Sequence, residues 1–193
     1  MKVIIRAPLL SISGYGVHSR QVFKWLLGKK EIDLYTQVVQ WGNTSWLINK
    51  DFENGIVSKI MSKSRDVKGQ ADISFQVQLP DEWDSTLAKK NIGISAVVET
   101  DKCNPAWIDS INKMDGVIVP SNHIKQVILN TGKVTTNIYV IHEWYYEQID
   151  KDPREISGLD IDFNTDFNFL AVAQFTGMTP ETDRKNLFNT IKW

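Results

Sequence analysis

Two glycines two positions apart, Gly14 and Gly16, stand between an apolar run ending at Pro8 and a helix-like stretch beginning at Val17. Glycine lets a backbone approach a phosphate without a Cβ clash, and the free N–H groups of a helix start favour an anion. The pair therefore suits a phosphate cradle, and it equally suits a plain tight turn between strand and helix. The local pattern is G-x-G-x-x-S, one residue off the dinucleotide fingerprint, which also wants an acid at the end of the second strand to hold a ribose hydroxyl. Here that end reads Val38-Val39-Gln40-Trp41, and Asp33 stands at the strand's start. A nicotinamide cofactor is disfavoured on that ground. A denser group is Val97-Val98-Glu99-Thr100-Asp101, with Asn104 and Pro105 just beyond. Two acids at a strand's carboxyl end face the ligand crevice of a doubly wound sheet, where Glu99 or Asp101 could orient hydroxyls or move a proton. The competing role is structural: Asp101 or Asn104 capping a helix that starts near Pro105, as Ser121 is placed to cap the next one. Trp41 and Trp46 bracket a loop and offer faces on which a sugar can stack, whereas Trp25 and Trp107 fall in helix patterns and read as core. His142 and Glu143 follow a strand and read as hinge or packing residues, and Cys103 lacks a basic partner that would make it a nucleophile.

The elements that would hold these residues alternate. Val3–Pro8, Ile32–Val39, Ala71–Leu79, Ile92–Val98, Gly116–Pro120 and Asn137–Ile141 read as strands, most of them apolar on both faces. Between them Val17–Leu27, Phe52–Met61, Pro105–Met114 and His123–Leu129 read as helices, the first with Val22, Trp25 and Leu26 on one stripe. Strands buried on both faces and joined by crossover helices predict an α/β fold with a Rossmann-like, doubly wound, mainly parallel sheet. The stretch 147–166 breaks the pattern with seven acids against two basic residues, plus Pro153 and Gly158, and reads as a linker. Phe167–Phe175 is a further strand signal, and Arg184–Trp193 a helix with no stop signal, as though a βα unit had barely closed.

Composition removes several classes. The 193 residues are 42% hydrophobic, enough for one domain and a fragment of another. A net charge of −1 leaves no electrostatic footprint for duplex nucleic acid or an anionic membrane. One Cys and three His supply neither a disulfide scaffold nor a structural zinc site. The N-terminus meets Arg6 too early for a signal-peptide core, and no apolar run approaches a membrane span, so a cytoplasmic location is expected.

Glu99-Thr100-Asp101, the Pro-x-Trp of Pro105 to Trp107, Asn112-Lys113-Met114-Asp115, Val119-Pro120-Ser121 and Tyr139-Val140-Ile141-His142-Glu143 together resemble, in order and spacing, the group-1 family of nucleotide-sugar glycosyltransferases. The resemblance implies a GT-B fold of two Rossmann-like domains facing a cleft, with acceptor held by the first and donor by the second. It divides the chain into an acceptor-side domain (1–146), a linker (147–166) and the incomplete start of a donor-binding domain (167–193). It implies that Gly14, Gly16, Arg184 and Lys185 contact the donor diphosphate, that Glu99 lies near the transferred sugar, and that Asp101, Trp41 and Trp46 line the acceptor side. His142 and Glu143 fall near the interdomain hinge. The implied partners are a nucleotide sugar, such as a UDP- or GDP-sugar, and a glycan or other hydroxyl acceptor. The subgroup resembles retaining enzymes that use neither metal nor cofactor. Two departures stand out. The paired glutamates that the family carries seven residues apart have no counterpart here, and the strand ending Val98-Glu99 lacks the His that many members place there. A binding module for a glycan or a protein, without turnover, is the competing expectation.

Overall fold

In a computed structural model the described residues are 1–98, 100–145, 165–173, 176–183 and 185–192. The chain divides into two compact units, Met1–Tyr146 and Glu147–Trp193.

The first unit is built on six parallel strands: β1 (Lys2–Ala7), β2 (Asp33–Val38), β3 (Ala71–Val77), β4 (Ala88–Ile94), β5 (Gly116–Val119) and β6 (Ile138–Val140). Their order across the sheet is β2-β1-β3-β4-β5-β6, and every neighbouring pair runs parallel. Parallel neighbours need crossovers, and these are supplied by α1 (Gly14–Leu27), α2 (Ile56–Lys63), a single 3-10 turn (Pro80–Glu82), α3 (Trp107–Asn112) and α4 (Asn122–Thr131). The winding reverses at β1 and β3: the chain leaves β1 to one side for β2 and returns to the other side for β3. Such a switch point opens a crevice beyond the strands' carboxyl ends.

Three apolar clusters pack on the sheet, the smallest made of Ile4, Tyr35, Ala71 and Ala88. Val3, Ile5, Phe23, Leu26, Ile56 and Ile60 belong to one of the two larger ones; Trp107, Ile111, Val117, Val119, Val127 and Ile128 belong to the other. A buried polar patch on β3 and β4 fixes the loop between them. Ser74 Oγ donates to Asn91 Oδ1, Gln76 Nε2 donates to Ser74 Oγ and Asp84 O, and Asn91 Nδ2 donates to Ser85 O and Ala88 O. Each of these side chains is fully enclosed, so their mutual bonding is what makes the burial tolerable. Trp25, expected in the core, is instead 54% exposed. The helix turns Phe23 and Leu26 inward, leaving Trp25 to meet Phe75 by its edge and Lys29 on its face.

In the second unit, 167–173 is not a strand. Phe167, Phe169, Leu170 and Val172 are 73 to 93% exposed. No strand among the described residues lies beside this segment, and extended backbone without a hydrogen-bonded neighbour has nothing to hold it in a ladder. The closing helix is α5 (Leu187–Lys192), shorter than expected, and Arg184 and Trp193 lie outside the described residues. Among the described residues no helix is long and apolar enough to cross a membrane.

Candidate functional site

The sheet's carboxyl edge collects the loops after β1, β2, β4 and β6. After β1 the chain turns through Pro8–Ser13, and Ser13 caps α1 by accepting from Gly16 N–H at 3.0 Å. The glycines thus lie in the helix's first turn, not ahead of it as the sequence suggested. They differ in kind. A Cβ at Gly14 would meet nothing within 4 Å, whereas one at Gly16 would sit 2.0 Å from the carbonyl oxygen of Ser11. Gly16 is therefore the point at which α1 presses on the turn. Buried Arg20, one turn on, donates to Leu9 O and Ser11 O and holds the turn from beneath. With Gly16 N–H taken by Ser13, the amides open to an anion are those of Gly14 and Tyr15, for which a helix start supplies no acceptor.

Two loops are stapled together above this turn. Ser11 and Trp46 form an antiparallel bridge, with Ile12 N–H donating to Ser45 O at 2.9 Å and Leu47 N–H to Leu10 O at 2.6 Å. Ser11 Oγ lies 2.8 Å from Ser13 Oγ and 2.6 Å from Thr44 Oγ1, and the Thr44 hydroxyl reaches Trp41 O. The β2–α2 loop is thereby set over the start of α1.

Tyr15, which the sequence reading passed over, joins these loops to β4. Its ring stacks on Trp41 at 4.0 Å between centroids. Its hydroxyl lies 2.9 Å from Ser95 Oγ and accepts from Ala96 N–H at 3.1 Å. Burial raises its pKa above the ordinary phenol value, against the lowering effect of the bonds to Ser95 and Ala96. Beyond Ala96 the backbone is strained. Val97 is β-branched, buried and at φ 53°, and its N–H is held by Ser95 Oγ at 3.1 Å. Tyr15→Phe keeps the stack but strips the acceptor from Ala96 N–H. It is expected to cost about 1–2 kcal/mol, read as a lowered urea midpoint with an unchanged slope. Wild-type stability in that variant would show that Tyr15 does not brace the β4 turn.

The segment after β6 is clipped to α1. Glu143 Oε1 pairs with His18 Nδ1 at 2.8 Å, and Gln21 Nε2 donates to Trp144 O at 2.6 Å. The hydrogen bond from His18 holds the Glu143 carboxyl below its ordinary range, in spite of partial burial and aided by the charge on a protonated His18. His142 is exposed, its Nδ1 2.8 Å from Pro120 O. Both residues expected near a hinge thus hold the segment onto the first unit.

Of the other candidates, Trp46 is 46% exposed beside the staple, and Asp101 is exposed with its carbonyl accepting from Asn130. Asn104, not Asp101, shapes the approach to α3, accepting from Ala106 N–H at 3.0 Å, and Ser121 caps α4 as expected. Glu99 lies outside the described residues.

In the second unit, one carboxylate organises the loop that carries Lys185. Asp183 is buried and accepts from Thr176 N–H and hydroxyl, Lys185 N–H and Leu187 N–H. Burial pushes its pKa up, but the bonds from Thr176, Leu187 and Lys185 outweigh it and bring the value down to about 2. The folded pKa lies below the unfolded value of 3.8, so the stabilisation is present above pH 3.8 and is lost as the pH falls toward 2. The amide resonances of Thr176, Lys185 and Leu187 are expected to move together in that window. Independent titration of the three would show that Asp183 does not hold this loop.

Among the described residues no group of three His, Cys, Asp or Glu side chains could hold a metal ion. A groove of about 380 Å³ lies between α4 and the start of β6, lined by Lys125, Leu129, Val134 and Tyr139 among others. Fold and site together define an α/β protein with a six-stranded all-parallel sheet, an arrangement consistent with a Rossmann-like fold. No protein-family model, curated protein or solved structure matches the chain.

Proposed function

We propose that the chain carries the acceptor-side domain of a nucleotide-sugar glycosyltransferase of GT-B type, with 167–193 belonging to its donor-side domain. The observation that supports it most is positional. Val119-Pro120-Ser121 and Tyr139–Glu143, two of the stretches that carry the resemblance, run off the carboxyl ends of β5 and β6, and Thr100–Asp101 and the first turn of α1 lie on the connections that leave the carboxyl ends of β4 and β1. That is the edge at which such sheets bind ligands.

In this reading hexosyl transfer proceeds with retention and without a metal, and the difficulty is the departing nucleoside diphosphate. The resemblance assigns that charge to Arg184 and Lys185 and to the Gly14–Gly16 turn, and cationic side chains and helix N–H groups are what such a leaving group needs. Asp183 contributes by fixing the backbone from Thr176 to Leu187 around Lys185. Glu99 is assigned to the transferred sugar, and Asp101, Trp41 and Trp46 to the acceptor side. Because the reading makes 167–193 an incomplete donor-side domain, inactive by itself, the test is made in a full-length context: release of UDP or GDP from a panel of nucleotide sugars, with and without hydroxyl acceptors. Acceptor-dependent release supports the reading, and no release from any donor rejects it.

A second reading is a glycan-binding module without turnover. It is favoured by the exposed Trp46 and by the engagement of Gly16 N–H with Ser13, which leaves fewer amides for a phosphate.

A further inference from the structure

The two stapled loops have an unusual charge distribution. Between Arg6 and His18, and between Asp33 and Lys50, there is no Asp, Glu, Lys or Arg. At the chain's 23% charged composition, 27 residues would carry about six such side chains. What the loops present instead is the Trp46 indole, 46% exposed, flanked by Ile12 and Ile48 at 60% and 82%, with exposed Asn43 and Ser45 side chains in the same loop. Trp41 is a different case, because its ring is stacked on Tyr15 and braces the platform. Beneath the platform the buried Arg20 is turned to Leu9 O and Ser11 O, and His18 and Glu143 are engaged with each other.

Resting on the transferase reading above, we infer that this platform takes an uncharged saccharide as the acceptor, with one sugar face on Trp46 and its hydroxyls toward Asn43 and Ser45. The physical argument is one of exclusion and fit. An anionic acceptor would give up water for a surface without a cation, and a desolvated charge without a partner is costly. A cationic group could use the indole face, but neither loop offers a carboxylate beside it. A neutral sugar has what the surface matches: an apolar C–H face for the indole, and hydroxyls that both donate to and accept from an amide and a hydroxyl. The double backbone bond between Ile12–Ser45 and Leu47–Leu10 fixes the loops before a ligand arrives, which lowers the ordering cost of binding.

The test uses protein labelled with ¹⁵N at the tryptophan indoles, titrated with maltose, cellobiose and lactose as neutral probes, sialyllactose as the anionic one and chitobiosamine as the cationic one. At least one neutral probe is expected to shift the Trp46 indole resonance. Trp46→Ala should weaken that binding about tenfold, the scale of one lost aromatic contact, while Trp46→Phe retains most of it. The phenylalanine variant guards against a folding defect, since Trp46 takes part in the staple through its backbone. Binding of a charged probe tighter than any neutral one, no movement of the Trp46 resonance with the neutral set, or unchanged affinity in Trp46→Ala would each overturn the inference. The two readings fail separately. Sugar transfer onto charged acceptors alone would keep the transferase and reject the neutral platform; neutral-sugar binding without consumption of any nucleotide sugar would do the reverse.

Discussion

Gly16→Ala is expected to destabilise the first unit by about 3 kcal/mol or more, at the upper end of what overpacking costs, because the obstacle is backbone. The added Cβ would lie 2.0 Å from Ser11 O and 2.9 Å from Ser11 C, and neither can rotate away as a side chain would. Relief requires moving α1 off the turn, which would disturb the Ser13 cap and the bonds from Arg20 to Leu9 O and Ser11 O. Gly14→Ala is the matched control. It sits in the same helical turn with open space around it, so its change is expected to be neutral or stabilising by up to about 1 kcal/mol. Urea unfolding of the two variants side by side decides the matter. Equal midpoints would mean that α1 does not rest on Ser11 as described.

The largest functional effect is expected from Arg184→Ala combined with Lys185→Ala, made in a full-length context. In an enzyme that discharges a nucleoside diphosphate, removing cations aimed at the leaving group costs at least about a hundredfold in turnover, by analogy with the loss of one preorganised donor at a developing oxyanion. The loss should appear in kcat as well as in donor affinity, because the charge on the diphosphate grows as the glycosidic bond breaks. Lys185→Arg with Arg184 retained should keep much of the activity, because charge is preserved at that position. A double alanine variant with unchanged turnover would remove the phosphate assignment and leave the first unit's carboxyl edge as a binding surface only.

The sheet was legible because its strands are buried on both faces. Runs such as Val3-Ile4-Ile5 and Gly116-Val117-Ile118-Val119 lack the polar alternation of a half-exposed strand, and that pattern is what a parallel sheet requires. Strand β4 was read four residues too far along, as Ile92–Val98 instead of Ala88–Ile94, because its first residues include Lys89 and Lys90. In the fold these lysines pair with Asp72 and Asp115, partners distant in sequence. The start of α2 was placed too early for a different reason: Glu53, Asn54 and Gly55 all have positive φ, and nothing in residue type announces a left-handed run of that length. The Phe167–Phe175 signal failed because a strand is a property of a pair, and local propensity cannot supply the partner.

At the site, the loops were legible and their connections were not. Gly14, Gly16, Trp41 and Trp46 stand out by residue type, but the staple between Ser11 and Trp46 and the hydroxyl of Tyr15 at Ser95 join residues 33 to 80 positions apart. The Ser13 cap was the one local contact open to a closer reading, since a serine just ahead of a helical stretch is a common start signal. Asp183 was likewise visible as a residue, but its role depends on Thr176 folding back to it.

The most direct test of the central proposal is a donor-consumption assay. In a full-length context, the protein is incubated with UDP- and GDP-sugars and neutral saccharides, and released nucleoside diphosphate is measured for the parent and for the Arg184→Ala, Lys185→Ala variant. Release that depends on both donor and saccharide, and that falls at least about a hundredfold in the variant, is the predicted result. Saccharide binding at Trp46 without release from any donor would contradict the transferase and leave a carbohydrate-binding module.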